Sequence, residues 1–396
     1  MAPSDKVILA YSGGLDTSFC IKYLIHEKNL EVHAALVNTG GFTDQELKDI
    51  GERALGMGAA SFTVLDSKTD FYEKCLRYLI YGNVLRNNTY PLSVSAERVF
   101  QALAIIEFAK KQNARYLAHG STGAGNDQIR FDLVFNILGN NLEVITPIRD
   151  LKLSRQEEVD YLKKYGVEMS WEKAQYSINK GIWGTSVGGK ETLTSDQYLP
   201  ESAFPTPVTT VEPKEITIEF KNGQFIGIDG KSFNHPVTAI QALSEIVGPY
   251  GIGRDIHVGD TIIGIKGRVG FEAGAPLLII KAHHLLEKHT LGKWQAYWKD
   301  QLSNWYGMML HEGQYLDPVM RDIETFMEHT QERVSGKVFV KLFPYRFELH
   351  GIESPHDMMQ SKMGQYGEMN NAWSGDDAKG FTKIMSIANK IHKSAE

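Results

Sequence analysis

The chain contains 396 residues, of which 42% are hydrophobic, and its 48 acidic and 42 basic side chains give a net charge of −6. This length predicts about two or three domains, because a single hydrophobic core stops growing beyond roughly 250–300 residues. The acidic balance gives no electrostatic footprint for nucleic acid, and no apolar run approaches the ~18 residues that a membrane span requires. Cys20 and Cys75 in apolar surroundings, and an N-terminus without a signal-peptide pattern, favour reduced thiols and a cytoplasmic protein.

Residues 12–18, with the sequence S-G-G-L-D-T-S, are a candidate anion site. Residues 7–11 are apolar and β-prone and helical spacing begins at Phe19, so the stretch turns from a buried strand into a helix. Its two glycines let an anion approach the backbone N–H groups, and its three hydroxyls add donors at the positive end of the helix. The stretch therefore predicts phosphate binding.

The spacing of this turn narrows the kind of phosphate site. It has no lysine for a Walker A loop, and it lacks the G-x-G-x-x-G spacing of a dinucleotide site. It resembles the pyrophosphate loop of the ATP pyrophosphatases, which release pyrophosphate from ATP. The resemblance implies that Asp16 faces Mg²⁺ beside the polyphosphate. Without a cation between them, the Asp16 carboxylate and the phosphates would repel each other. The alternative is an ordinary glycine-rich turn between a strand and a helix.

Strands and helices alternate through the first ~165 residues. Further strands are predicted at residues 31–37, 60–65, 115–118 and 143–146, and helices near residues 47–54, 71–79, 96–112, from 126, and from a capping box at 154–157 to Gly166. This alternation predicts an α/β fold with a doubly wound parallel sheet, whose ligands bind beyond the carboxyl ends of the strands. The first domain is predicted to cover residues 1–166.

A second polar loop at a predicted strand end covers residues 119–131. Three glycines within six residues let the backbone pass close to a ligand. Asn126 and Arg130 lie four residues apart on one helical face, so both can hold one ligand while Asp127 addresses another. This loop is therefore a candidate substrate site.

Residues 167–365 are predicted to form a second, α+β domain. Residues 199–213 contain four prolines and indicate an extended connector, and Asn222-Gly223 indicates a hairpin between residues 216–220 and 224–228. Other strands are predicted near residues 261–264, 268–271, 336–343 and 346–350, with long helical structure at 276–307. Four aromatic residues of that helical region are expected in the core or in subunit packing: Trp294, Tyr297, Trp298 and Trp305.

The last segment, residues 366–396, contains a predicted amphipathic helix at 376–392. Its apolar side chains form one stripe: Phe381, Ile384, Met385, Ala388 and Ile391. Such a stripe must be buried, either against its own domain or against a neighbouring subunit.

Four segments in order resemble the argininosuccinate synthase family, the ATP-dependent ligases that join citrulline and aspartate. They are A-Y-S-G-G-L-D-T-S from residue 10, Y-P-L-S-V-S from residue 90, H-G-S-T-G-A-G-N-D-Q-I-R-F from residue 119, and Tyr176-Ser177 with W-G-T-S from residue 183. The resemblance implies a HUP-like nucleotide domain, a synthetase domain, a C-terminal helical arm and a homotetramer. It also implies a place in arginine biosynthesis.

In this family the ureido oxygen of citrulline attacks the α-phosphorus of ATP, and the amino group of aspartate then displaces AMP. The resemblance implies that ATP is held by Ala10, Tyr11, Ser12, Gly13, Gly14, Leu15, Asp16, Thr17, Ser18, Val37 and Gly120. It implies that aspartate is held by Thr122, Asn126 and Asp127, and citrulline by Tyr90, Ser95, Asn126, Arg130, Ser177 and Ser186. The residues expected closest to the chemistry are Ser12, Asp16, Asp127 and Arg130, with Asp16 towards Mg²⁺.

The sequence departs from the family pattern at two positions expected to recognise citrulline. The family has Glu and Tyr where this chain has Gly259 and Phe271. A glycine cannot accept a hydrogen bond from an ammonium through a side chain, and a phenylalanine lacks the hydroxyl. One hypothesis is that a nearby acid (Asp255, Asp260 or Glu272) replaces the missing carboxylate; a different ureido or amide substrate is the other.

Two other classes of function share the pyrophosphate loop. Sulfur-transferring or tRNA-modifying relatives need paired cysteines, and a glutamine-hydrolysing synthetase needs an N-terminal cysteine where this chain has Ala2. A nucleotide-binding sensor would lack the second loop. Neither class explains residues 90–190.

Overall fold

The first half of the chain folds around a five-stranded parallel sheet. A computed structural model describes residues 5–167, 176–364, 366–367 and 372–395. The strand order is β3-β2-β1-β4-β5, so the polar loops after β1 and β4 leave neighbouring strands at the same edge of the sheet. The strands are β1 (Lys6–Ala10), β2 (Glu31–Asn38), β3 (Ser61–Asp66), β4 (Tyr116–His119) and β5 (Glu143–Ile145). The predicted doubly wound α/β sheet is confirmed.

Eight helices are described around this sheet. They are α1 (Leu15–His26), α2 (Asp44–Gly56), α3 (Lys68–Phe71), α4 (Arg77–Tyr81), α5 (Ser93–Lys111), α6 (Asp127–Leu138), α7 (Pro147–Leu151) and α8 (Arg155–Lys164). A π-helical turn at Tyr72–Leu76 joins α3 to α4 within the predicted helix at 71–79. The predicted capping box is confirmed, because the Ser154 hydroxyl accepts from the Glu157 N–H at the start of α8.

The second half of the described chain contains two antiparallel sheets, ordered β10-β9-β8-β13-β14 and β11-β12-β7-β6. Their strands are β6 (Ser177–Gly181), β7 (Gly184–Gly188), β8 (Lys214–Lys221), β9 (Gln224–Ile228), β10 (Lys231–Ser232), β11 (Arg254–Asp260), β12 (Lys266–Glu272), β13 (Gly336–Phe343) and β14 (Arg346–Glu353). The helices are α9 (Pro236–Val247), α10 (Gly274–Thr290), α11 (Lys293–His311) and α12 (Pro318–Thr330). One apolar cluster runs from Ile8 in β1 to Leu342 in β13, so the two halves share a core.

Two predictions for this half have different outcomes. The hairpin at Asn222-Gly223 is confirmed, and both residues have the positive φ of a tight hairpin turn. The strand predicted at residues 261–264 is wrong, because these residues form the turn between β11 and β12. The Ile262 N–H of that turn donates to Asn126 Oδ1 at 2.9 Å, so a tertiary contact overrides the β-prone local sequence.

The C-terminal segment forms two short helices instead of one, α13 (Gly375–Met385) and α14 (Ile387–Ser394). Neither contains a buried residue. Elsewhere, both cysteines are fully buried and unpaired, as predicted. Among the described residues, no helix is long and apolar enough to cross a membrane.

Candidate active site

The turn from β1 into α1 is held in a tight conformation by its own polar groups and by one distant arginine. The Thr17 hydroxyl donates to the Gly14 carbonyl at 3.3 Å and accepts from the Ser12 N–H at 3.4 Å. Arg53 in α2 donates to the Gly13 carbonyl at 2.8 Å. Gly13 has a φ of +78°, a conformation that favours glycine. The start of α1 therefore presents its free backbone N–H groups at the end of β1, as a phosphate site requires.

The loop after β4 lies directly against this turn. A Cβ atom on Gly120 would be 3.2 Å from the backbone of Asp16 and Thr17, which leaves little space for a side chain. Val37 is buried at the end of β2, on the other side of β1. The predicted ATP residues of three strand ends are thus brought together.

Asp16 faces a carboxyl group that sequence reasoning did not identify, that of Glu158 in α8. Burial raises the pKa of Asp16. Burial, then the charge of Asp16 and a hydrogen bond to it, raise the pKa of Glu158 to about 8. These two neighbouring carboxyl groups form a pair of hard oxygen donors beside the start of α1.

Asp127 joins two arginines at the start of α6. Its Oδ1 accepts from Arg130 at 3.0 Å and its Oδ2 accepts from Arg98 at 2.9 Å. Burial alone would raise the pKa of Asp127, but the charges of Arg98 and Arg130 outweigh it and lower the pKa. The Asp127 side chain is still 38% exposed, so a ligand can reach it.

Arg130 is held by the protein itself in this structure. Its Nε and Nη2 donate to the His311 carbonyl at 3.0 and 2.8 Å, and its side chain is 4% exposed. Bidentate binding of a ligand carboxylate by Arg130 would require these bonds to be exchanged for bonds to the ligand. Asn126 is likewise engaged, by the turn between β11 and β12. Thr122 is exposed.

The predicted citrulline residues fall into a buried group and an exposed one. Tyr90 is buried with its ring 5.3 Å from that of Phe271, and Phe271 pairs with Ser186 across β12 and β7. The Ser95 hydroxyl is buried and has no hydrogen-bond partner among the described residues. Ser177, at the start of β6, is exposed.

The hairpin of β6 and β7 links this group to Asp127. Asn179 pairs with Ser186 across the hairpin, and its side chain accepts from Arg98 at 3.0 Å. Arg98 was not identified from the sequence. The only signal for it was its position three residues after Ser95, one helical turn away on the same face of α5.

The acids that we considered as replacements at Gly259 are engaged elsewhere. Glu272 pairs with Arg254 at 2.9 Å and Asp260 pairs with Lys266 at 2.6 Å, each across β11 and β12. Asp255 accepts from the N–H of Ile256 at 2.7 Å. Their role in binding citrulline therefore stays a hypothesis.

The hairpin of β6 and β7 also packs closely against the loop after β2. The Ile182 N–H donates to the Thr39 carbonyl at 3.2 Å, and a Cβ on Gly41 would collide with the Lys180 carbonyl oxygen. We expect Gly41→Ala to lower the melting temperature by about 4 °C, because the hairpin backbone must move. Gly56→Ala is the control: a Cβ there meets nothing within 4 Å. Equal melting temperatures for the two variants would contradict this close docking.

Glu97 lies beneath this junction, 1% exposed, where it accepts from the Thr39 hydroxyl. Burial, offset in part by Arg98 and Thr39, raises the pKa of Glu97 from 4.5 to about 7. The folded state therefore binds the extra proton between these values, and its stability falls as pH rises through them. The full effect is on the order of 3 kcal/mol.

We expect Glu97→Gln to remove this pH dependence. The variant should match the wild type in denaturant unfolding at pH 5 and be more stable at pH 8. Glu107→Gln, at an exposed position of the same helix, should follow the wild-type profile. Parallel pH profiles for Glu97→Gln and the wild type would show that Glu97 is ionised in the folded protein throughout.

Comparison with known proteins agrees with this geometry. A family model described as "Arginosuccinate synthase N-terminal HUP domain" matches residues 6–168. A second, "Arginosuccinate synthase C-terminal domain", matches residues 176–392.

Curated relatives share the same name, Argininosuccinate synthase. That of Dictyoglomus turgidum is 36% identical over 390 residues, covering 98% of this chain and 97% of the relative. That of Methanocaldococcus jannaschii is 35% identical, covering 91% of each chain. That of Synechocystis sp. is 36% identical, covering 99% of this chain and 98% of the relative. The chain belongs to the argininosuccinate synthase family.

Proposed function

We propose that the loops after β1 and β4 and the hairpin of β6 and β7 form one active site for both steps of argininosuccinate synthesis. The reaction converts ATP, L-citrulline and L-aspartate into argininosuccinate, AMP and pyrophosphate. The observation that supports this proposal best is the position of Asp127. Asp127 accepts hydrogen bonds from Arg98 and Arg130 and is partly open to a ligand. It belongs to the loop whose Gly120 packs against the β1 turn.

In the first step the ureido oxygen bonds to the α-phosphorus, and the bond from that phosphorus to pyrophosphate breaks. The residues proposed to hold ATP are Ala10, Tyr11, Ser12, Gly13, Gly14, Leu15, Asp16, Thr17, Ser18, Val37 and Gly120. Backbone N–H groups of the β1 turn stabilise the leaving pyrophosphate. This step gives citrullyl-AMP, in which AMP is a far better leaving group than ammonia.

A magnesium ion fits the Asp16 side of this site. Mg²⁺ prefers oxygen ligands, often one or two carboxylates together with substrate phosphates. Asp16 and Glu158 present two carboxyl groups next to each other there, which are oxygen donors of the kind that Mg²⁺ takes. When bound, the ion would neutralise charge on the phosphates.

In the second step the α-amino group of aspartate attacks the ureido carbon, and the bond from that carbon to the oxygen carried by AMP breaks. We propose that Asp127 orients the amino group, which releases a proton to water as the new C–N bond forms, and that Thr122 and Asn126 bind the carboxylates of aspartate. Citrulline would lie between Tyr90, Ser95, Asn126, Arg130, Ser177 and Ser186. The enzyme thus supplies positioning and charge stabilisation.

These assignments predict a separation of kinetic effects. Ser186→Ala should raise the KM for citrulline, and Thr122→Val the KM for aspartate, by about 5- to 50-fold each, the loss of one hydrogen bond. Asp16→Asn should instead raise the Mg²⁺ concentration needed for half-maximal rate. Ser361→Ala, outside the site, should change none of the three. A shared rise in all constants for either Ser186→Ala or Thr122→Val would contradict the assignment of separate subsites.

The assembly and location of the enzyme are part of the same proposal. The exposed apolar stripe of α13 and α14 supports an arm that binds a neighbouring subunit of a homotetramer. The buried, unpaired cysteines support the cytoplasm. We also propose that the chain divides into domains at residues 1–166, 167–365 and 366–396.

A further inference from the structure

Three nitrogen-bearing side chains lie close together near Tyr90 and Arg130. We call Arg86, His257 and His311 the basic cluster. Arg86 and Tyr90 are joined by a backbone hydrogen bond of 2.8 Å, and the rings of Tyr90 and His257 stack at 5.1 Å. His311 lies next to Arg130, with its Nδ1 3.4 Å from Nη2 of that guanidinium. The cluster therefore borders the proposed citrulline site.

Each member of the basic cluster has a buried nitrogen without a hydrogen-bond partner among the described residues. These atoms are Arg86 Nε, His257 Nδ1 and His311 Nε2, and the two histidines are only 5% and 6% exposed. Buried polar atoms are nearly always paired, so three unpaired atoms in one place indicate a missing partner.

The chemistry of that partner follows from which atoms carry hydrogen. A guanidinium can only donate, so Nδ1 of His311 accepts from Arg130 and the hydrogen of a neutral His311 is on Nε2. Burial and the charges of Arg130, Arg86 and His257 lower the pKa of His311 to about 3, against a smaller opposite effect of the nearby Asp260 backbone, so the ring is neutral. Arg86 Nε also carries a hydrogen. At least two of the three unpaired atoms are therefore donors that need an acceptor.

An ammonium group would find at most one free side-chain acceptor in this cluster, a ring nitrogen of neutral His257. On β11 and β12, neither Gly259 nor Phe271 has a side-chain acceptor. A Cβ on Gly259 would be 2.6 Å from His257 Nε2, so the histidine occupies the space of a side chain there. Asp260 is paired with Lys266. The charge and the donors favour an anion.

We propose that Arg86, His257 and His311 form a carboxylate-binding subsite beside Arg130, filled by a carboxylate of the ureido substrate. This inference rests on the proposed position of citrulline. Two carboxylates share the chemistry: the α-carboxylate of citrulline, or a carboxylate on a group attached to its α-nitrogen. In the second case the α-nitrogen is an uncharged amide, which removes the ammonium from this basic surrounding.

The test uses the full-length enzyme with His257→Phe and His311→Phe combined. Phenylalanine keeps the ring shape and removes the unpaired donors, so the fold should be at least as stable as the wild type. A second double variant, with His257→Phe and His311→Gln, keeps a side-chain N–H donor at residue 311. It should recover part of the binding that the double phenylalanine variant loses. His350→Phe, on exposed β14, is the control.

Calorimetric titration and KM should be measured with L-citrulline, L-citrullinamide and α-N-succinyl-L-citrulline. We expect the double variant to bind at least one carboxylate-bearing compound about tenfold or more weakly, with the KM values for ATP and aspartate unchanged. A loss confined to citrulline identifies the α-carboxylate, and a loss confined to the succinyl compound identifies the added carboxylate.

Unchanged binding of all three compounds, or a loss equal for citrulline and its amide without any for the succinyl compound, would overturn the subsite. Titration needs no turnover, so it reports on the subsite even if the assigned reaction fails. Intact binding without pyrophosphate release in the wild type would instead count against the proposed reaction.

Discussion

Replacing Asp127 by asparagine should reduce kcat/KM for aspartate by about 100-fold or more. The change keeps the shape of the side chain but removes the charge that pairs with Arg98 and Arg130. Charge-assisted hydrogen bonds contribute roughly 1.5–3 kcal/mol each, and two of them are weakened together with the contact to substrate. Steady-state rates of AMP formation, with ATP and citrulline saturating, measure this loss.

The control for this experiment is Asp160→Asn, an exposed aspartate on α8 that should leave the kinetics unchanged. The melting temperature of Asp127→Asn should also fall, because two largely buried arginines lose their shared partner. A variant with wild-type kcat/KM for aspartate and a lowered melting temperature would mean that Asp127 only stabilises the fold.

Ending the chain at Ser374 should convert the proposed tetramer into smaller species. The removed helices expose large apolar side chains: Phe381, Ile384, Met385, Ile387 and Ile391 are each 49–69% exposed. Burying one such side chain contributes roughly 1.5–3 kcal/mol, so leaving all of them in water is unfavourable. Four aromatic residues of α11 that are more than half exposed offer a second apolar surface: Trp294, Tyr297, Trp298 and Trp305.

Sedimentation velocity would measure this assembly. A matched pair of full-length variants separates the apolar stripe from the length of the arm. Phe381→Ser with Ile384→Ser should dissociate the protein, whereas Lys379→Ser with Lys383→Ser, on the same helix, should not. A truncated chain that sediments as a tetramer would exclude the arm as the main contact.

Local sequence was sufficient to predict the two polar loops that follow β1 and β4, which we propose form the active site. Ser12–Gly14 and the glycines after His119 follow apolar strands, and this pattern depends only on neighbouring residues. The position of Gly120 against Asp16 then follows from the parallel sheet, since adjacent strands end at the same edge.

Partners that come from distant parts of the chain were not predictable in this way. Arg53 contacts the loop from 40 residues away, and Glu158 reaches Asp16 from α8. Residues 261–264 contain two isoleucines and look like a strand, but the contact from Asn126 makes them a turn. The strands β6 and β7 were missed for a related reason, because they are short, contain several glycines and form by pairing with each other and, for β7, with β12.

Transfer of oxygen-18 tests the central claim most directly. Citrulline labelled with oxygen-18 in its ureido group should be incubated with the protein, ATP, Mg²⁺ and aspartate, and the AMP and pyrophosphate analysed by mass spectrometry. If the ureido oxygen attacks the α-phosphorus and aspartate then breaks the bond from carbon to that oxygen, one label appears in each AMP and none in pyrophosphate. Unlabelled AMP, or AMP formed equally well without citrulline, would contradict the account.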